Sequence, residues 1–175
     1  MNSWSRNLEL LIKSRTSLIW IRTKEEERLE KLINSSCERL NIKRFIRWDC
    51  VSGIKGLINE DGKFSNNPIG VLNWLKEQSS EVSTVLLLKD FHKFYEDPSI
   101  NRTIKELFLA LKKTSHNLII SSHLFPSSEE LDELMTIVNL PLPDQKELKN
   151  LIKKIAVNTN SNICLLYTSP SPRDH

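Results

Sequence analysis

Residues able to do chemistry gather in three short stretches. The first is "TVLLLKDFH", residues 84–92, an apolar run that ends in charge. In nucleotide hydrolases such a run delivers a metal-holding acid followed by a catalytic glutamate. Here Lys89 falls where the acid belongs and Asp90 where the glutamate would stand. An ammonium group opposes a cation 4 Å away by roughly 4 kcal/mol at an effective dielectric of about 20, so this strand is not expected to hold catalytic metal. Lys89 and Asp90 read as solvated or mutually paired groups at a strand's C-terminal edge. The alternative is a binding role, because ligand crevices in parallel sheets open beyond strand C-termini.

The second stretch is Ser121-Ser122-His123, which closes another apolar run. His92 and His123 each follow a strand and could approach each other at one sheet edge. A metal or general-base role for them would need a third partner. Ser121 and Ser122 sit where a polar sensor would end a strand, although serine is common at any strand-to-loop transition. The third stretch is Thr23-Lys24-Glu25-Glu26-Glu27. A triphosphate site would need a Gly-rich turn here, closed by Lys and Ser/Thr. Three carboxylates would repel phosphates instead, while suiting the positive end of a helix dipole. Thr23 with Glu26 has the spacing of a capping box. Cys50 beside Asp49, with His92, would suggest nucleophilic catalysis, but no spacing fixes that geometry. No catalytic, cofactor-binding or metal residue is therefore assigned. Lys89, Asp90, His92, Ser121 and Ser122 stand as candidates at the strand edge.

These residues must be held by alternating elements. Helical spacing of Trp4, Leu8, Leu11 and Ile12 marks a helix over 3–14. Strands are expected at 17–23, 44–50, 84–90, 117–123 and 136–142. Helices are expected at 24–40, 67–78, 99–113, 127–135 and 143–156, the second of these capped by Asn67 with Pro68 at its first position. Five apolar strands joined through helices imply an α/β domain: a mostly parallel five-stranded sheet with helices on both faces. Trp20, Trp48 and Trp74 fall in core elements and are expected to pack rather than to stack bases. All four glycines lie between 53 and 70, where Asp61-Gly62 suggests a small hairpin or loop. Leu148, Leu151, Ile152 and Ile155 recur at helical spacing and are expected to close the core. That gives a domain over 1–157. Residues 158–175 read as a linker and a non-native tail, because "YTSPSPRDH" breaks with the preceding composition and the chain looks truncated.

Composition narrows the function. The 175 residues are 39% hydrophobic and 27% charged with a formal charge of +3, ordinary for a globular domain. Acids and bases are interleaved, which argues against a nucleic-acid partner. The basic stretch "RTIKELFLALKK" reads as a solvated helix face. No apolar run approaches the roughly 20 residues that span a bilayer. Three cysteines without metal spacing argue against a disulfide framework. Scarce Ala and Gly among abundant Ile, Asn, Lys and Leu point to an A+T-rich coding sequence.

The segments "LIKSRTSLIWIRTKEEERLEKLI", "RWDCVSGI", "NPIGVLNWL", "VLLLKDFHKF", "LIISSHLFPSSEELDE" and "VNLPLPDQKELKNLI" resemble, in order, the N-terminal half of an AAA+ ATPase family. That family is encoded by the conserved hypothetical chloroplast reading frame forty-six of algal plastids and cyanobacteria. The resemblance covers residues 5–157. It implies an ATPase-shaped module without a phosphate loop, followed by a second module of the same chain that carries the Walker motifs. ATP and magnesium are then expected for the parent protein, not for this fragment. The parent is expected to be a homo-oligomer in the cyanobacterial cytoplasm or plastid stroma, away from the membrane. The function implied is a non-catalytic assembly or regulatory domain. Two other readings stand beside it: a stand-alone nucleotide- or phosphometabolite-binding enzyme lacking a phosphate loop, and a basic nucleic-acid-binding module.

Overall fold

The computed structural model describes residues 2–125 and 129–159. The chain divides into two units, Met1–Leu140 and Pro141–His175. The first contains α1 (Ser3–Lys13), β1 (Leu18–Arg22), α2 (Glu26–Arg39), β2 (Arg44–Asp49), β3 (Gly53–Lys55), α3 (Pro68–Glu77), β4 (Thr84–Lys89), α4 (Pro98–Leu111), β5 (Asn117–Ser122), α5 (Glu129–Asp132) and β6 (Thr136–Asn139). A 3-10 turn over Phe91–Phe94 follows β4.

The strands form one sheet in the order β3-β2-β4-β5-β1-β6. The five expected strands pair in parallel, and short β3 adds a sixth, antiparallel to β2. About Asp61-Gly62, where a small hairpin or loop is expected, the returning chain bonds to β3. The Ile54 amide donates to the Lys63 carbonyl at 2.8 Å, and the Gly62 amide donates to Ile54 at 2.8 Å. Gly53 has φ +68°, and a Cβ there would meet the Lys63 carbonyl oxygen at 2.4 Å. Glycine is what lets the two segments close.

Strand alternation sends side chains to two separate cores. Trp20, Leu86, Leu88 and Ile120 point to one face, under α3, α4 and α5. Ile19, Ile21, Val85, Leu87 and Ile119 point to the other, under α1 and α2. Central strands covered on both faces require consecutive apolar residues rather than alternation, which is why "VLLL" and "LIIS" read as they do. Trp20, Trp48 and Trp74 are buried, as their positions predict. Trp4 joins them and donates its indole N–H to the Asn139 carbonyl at 3.0 Å.

The caps partly follow expectation. Asn67 accepts from the Gly70 amide at 2.9 Å and Pro68 opens α3. The capping box expected from Thr23 and Glu26 is not formed. α2 starts at Glu26, with Glu25 as its cap and no side-chain cap bond. Thr23 instead receives the Glu25 amide at 2.9 Å, a hydroxyl-capped turn one step before the helix. A true capping box occurs at Asp144 and Glu147, at the start of α6 (Gln145–Asn158) in the second unit. None of the α6 residues is buried; Leu148, Leu151 and Ile155, expected to supply core, are 44%, 56% and 49% exposed. The tail expectation falls largely on residues 160–175, outside those described. The helix expected over 127–135 is described only from Glu129.

The two environments separate in a stability measurement. Leu87→Ala removes a fully buried side chain and should cost about 2–5 kcal/mol in urea unfolding. Leu148→Ala should cost about 0.5 kcal/mol or less. Equal losses would show that the apolar stripe of α6 is core after all.

Candidate functional site

Strand order places the C-terminal ends of β4, β5 and β1 side by side. Lys89 pairs with Ser121, Ser121 with Ile21, and Ser122 with Arg22. Two successive carbonyls at the end of β5 then tie down both neighbouring loops. The Asp90 amide donates to Ser121 at 3.0 Å, and the Thr23 amide donates to Ser122 at 2.9 Å. The sequence candidates Lys89, Asp90, His92, Ser121 and Ser122 thus come to one edge. A cleft of about 270 Å³ lies there, lined by Thr23, Lys24, Glu26, Asp90, Ser121, Ser122 and His123.

Lys89 is neither solvated nor paired with Asp90. Its Nζ lies 2.7 Å from Glu30 Oε2 and 3.3 Å from Glu26 Oε1, both on α2. Glu30 also takes Arg47 Nη1 at 2.5 Å. Burial opposes charge on Glu30, but hydrogen bonds from Lys89 and Arg47, and their charge, outweigh it and hold its pKa below the ordinary value. Burial likewise opposes charge on Lys89, and Glu30 then Glu26 outweigh it, raising its pKa. Both shifts favour the ionised pair. Sequence reading missed Glu30, although Glu26 and Glu30 are four apart on α2 and so share a face.

Ser122 is structurally committed. Its Oγ accepts the Trp20 indole N–H at 2.9 Å and donates to the Leu124 carbonyl. Ser121 is buried and contributes its carbonyl. Asp49 accepts the Val51 and Ser52 amides at 3.0 and 2.7 Å, so it holds a turn rather than serving Cys50. Cys50 packs partly buried against the core. Buried Cys37 has its thiol pushed up to about 12 by desolvation, then by Glu38, which leaves it unreactive.

Asp90 does what few non-glycine residues do. Its φ of 52° and ψ of 29° put it in the left-handed region, which aspartate tolerates better than most residues. That conformation turns the chain sharply, seats Phe91 in the core and brings His92 back to the edge. There the His92 ring meets His123 edge-on, with centroids 5.1 Å apart at 84°. Asp90, His92 and His123 bring one donor atom each to within 4.8 Å of one another. His92 Nδ1 is shut off from solvent and has no hydrogen-bond partner among the described residues. Burial lowers the pKa of His92; Asp90 opposes that shift, and His123 and Lys93 add to it. Asp90 is the third potential donor beside the two histidines.

Two of the four cations of the basic stretch are ion-paired, Arg102 with Glu106 at 3.0 Å and Lys105 with Glu130 at 2.6 Å, while Lys112 Nζ lies over the Phe108 ring at 4.4 Å; Lys76 of α3 also reaches Glu106 at 3.6 Å. Surface ion pairs of this kind contribute little to stability. No helix among the described residues is long and apolar enough to cross a membrane.

Residues 4–140 match the family described as the N-terminal domain of SpoVK-like AAA ATPases. The chain belongs to this family. Its relatives include the uncharacterized AAA domain-containing protein ycf46 of Guillardia theta, 31% identical over 153 residues, which is 87% of this chain and 30% of that protein. The ycf46 protein of Pyropia yezoensis is 32% identical over 165 residues, 92% of this chain and 34% of that protein. The chain thus spans about a third of the length of these relatives. A DNA replication initiation factor shares the fold, with a TM-score of 0.59 at 14% identity over 94% of this chain and 54% of that one. The resemblance of the sequence to the ycf46 family is therefore correct. The AAA N-terminal domain places the Lys89 lock and the Asp90 turn at the sheet edge where β4, β5 and β1 end.

The Glu30 lock has a pH signature. A carboxylate with a depressed folded pKa adds stability that is present above its unfolded pKa and lost as pH falls through the folded one. Wild type should therefore exceed Glu30→Gln by about 1–3 kcal/mol at neutral pH, a gap that closes as pH falls below about 4.5, the ordinary glutamate value. Urea titrations across that range check it. A gap unchanged in acid would mean that Glu30 contributes through packing, not charge.

Proposed function

We propose that this domain is a non-catalytic assembly or regulatory module of an AAA ATPase whose ATP-binding and hydrolysing module lies downstream in the same chain. The observation that carries the reading is the pairing of Lys89 with Glu30 and Glu26. A cation locked to α2 occupies the strand end where a metal-holding acid would work. The residues at this edge do not fit magnesium triphosphate. Between β1 and α2 run only Thr23, Lys24 and Glu25, without glycine, and α2 then opens with Glu26 and Glu27. Those carboxylates oppose phosphate at the N-terminus of α2. A domain of this shape can still offer surface to neighbouring modules. On this reading ATP and magnesium belong to the parent protein, which works as a homo-oligomer in plastid stroma or cyanobacterial cytoplasm.

Titration calorimetry of the 175-residue chain with MgATP tests the reading. Binding no tighter than about millimolar, some 4 kcal/mol, is the expected result, and micromolar binding would overturn it. In the parent protein, Lys89→Ala should leave the ATPase turnover within about twofold. A loss of several orders of magnitude would make this edge catalytic.

A further inference from the structure

We propose that Asp90, His92 and His123 bind one zinc-type divalent transition-metal ion, leaving a coordination position for water or an exchangeable ligand. The donor set is two imidazoles and one carboxylate, the chemistry of zinc, cobalt or nickel rather than of magnesium, which takes oxygen ligands. The three residues come from two adjacent strand ends: Asp90 and His92 follow β4, and His123 follows β5. The backbone joins these ends through the Asp90 amide and the Ser121 carbonyl, 3.0 Å apart. Their proximity is therefore set by sheet register, not by two long side chains meeting on a surface.

Two further observations point to a ligand. His92 Nδ1 is buried without a hydrogen-bond partner among the described residues, a state that costs free energy while no partner reaches that nitrogen. Asp90 holds a left-handed backbone, φ 52°, that aims the segment carrying His92 back at His123. The donor atoms now lie within 4.8 Å of one another, whereas metal–nitrogen bonds of about 2.0–2.1 Å at tetrahedral angles set donors roughly 3.3 Å apart. Asp90 and His123 are exposed, so rotation of their side chains can close that gap while the half-buried His92 stays in place. Asp90 and His123 line the cleft together with Ser121 and Ser122, and its volume leaves room for the exchangeable ligand.

The test is titration of the purified chain, carrying no histidine tag, with zinc by calorimetry and with cobalt(II) by visible absorption. One ion per chain should bind at micromolar affinity or tighter. The cobalt spectrum should lack thiolate charge-transfer bands, which separates this site from adventitious binding by cysteine. Asp90→Asn, which keeps the tolerance for the left-handed backbone, and His123→Ala, at an exposed position, should each weaken binding by about tenfold or more. His116→Ala, on a histidine away from this edge, should not weaken it. Absence of zinc binding at about a hundred micromolar would overturn the proposal. So would a thiolate spectrum, or affinity unchanged in both ligand variants.

Discussion

A lysine at the end of a strand covered on both faces has to find a carboxylate, and much of this site follows from how Lys89 does so. The preceding four residues of β4 are wholly buried, which fixes the base of the lysine side chain at the sheet and leaves the side chain 19% exposed. Glu30, with Glu26 behind it, answers from α2. Glu30 in turn neutralises Arg47 on β2, so one carboxylate fixes the helix against two strands. Half-buried pairs of this kind gain more from each charge than exposed pairs do, because water screens them less.

Once α2 is held there, the rest of the edge is determined by topology. β1 lies between β5 and β6, so the chain leaving β1 must pass the end of β5, where the Ser122 carbonyl receives Thr23. The chain leaving β4 passes the same strand end, where the Ser121 carbonyl receives Asp90. Both loops are short and anchored by backbone bonds. The backbone that carries their side chains therefore has a defined position, a condition for binding chemistry. Asp90 and His92 gain theirs through a left-handed residue followed by a buried Phe91.

The fold was legible because burial on both faces leaves an unmistakable pattern. Runs such as residues 85–88 and 118–120 are apolar at every position, and each lies between helical periodicities. Strand β3 was not legible. Three residues, one a glycine, carry no periodicity, and their pairing with β2 is decided by Ile54 bonding back to residues 62–63. Among the candidate residues, the edge position of all five could be inferred from strand ends. Their partners could not. Lys89 was read against its neighbour Asp90 because sequence shows adjacency, whereas its true partner lies across the sheet on α2. The Thr23 cap failed for the opposite reason. Its spacing was right, but the chain needs the hydroxyl one step earlier to turn out of β1.

The same register explains why one edge can combine a half-buried ion pair and an accessible polar cluster. Successive residues of a strand point to opposite faces. Lys89 ends β4 on the side of α2, continuing the row of Val85 and Leu87 that packs under that helix. The next residue would point to the other core, yet Asp90 is polar. The chain resolves the conflict by leaving the extended region at that residue and placing Phe91 in the core instead. A carboxylate is thereby ejected from the sheet at the point where His123 emerges from β5. The lock and the cluster are thus two consequences of one local event, the termination of a doubly buried strand by two charged residues in succession.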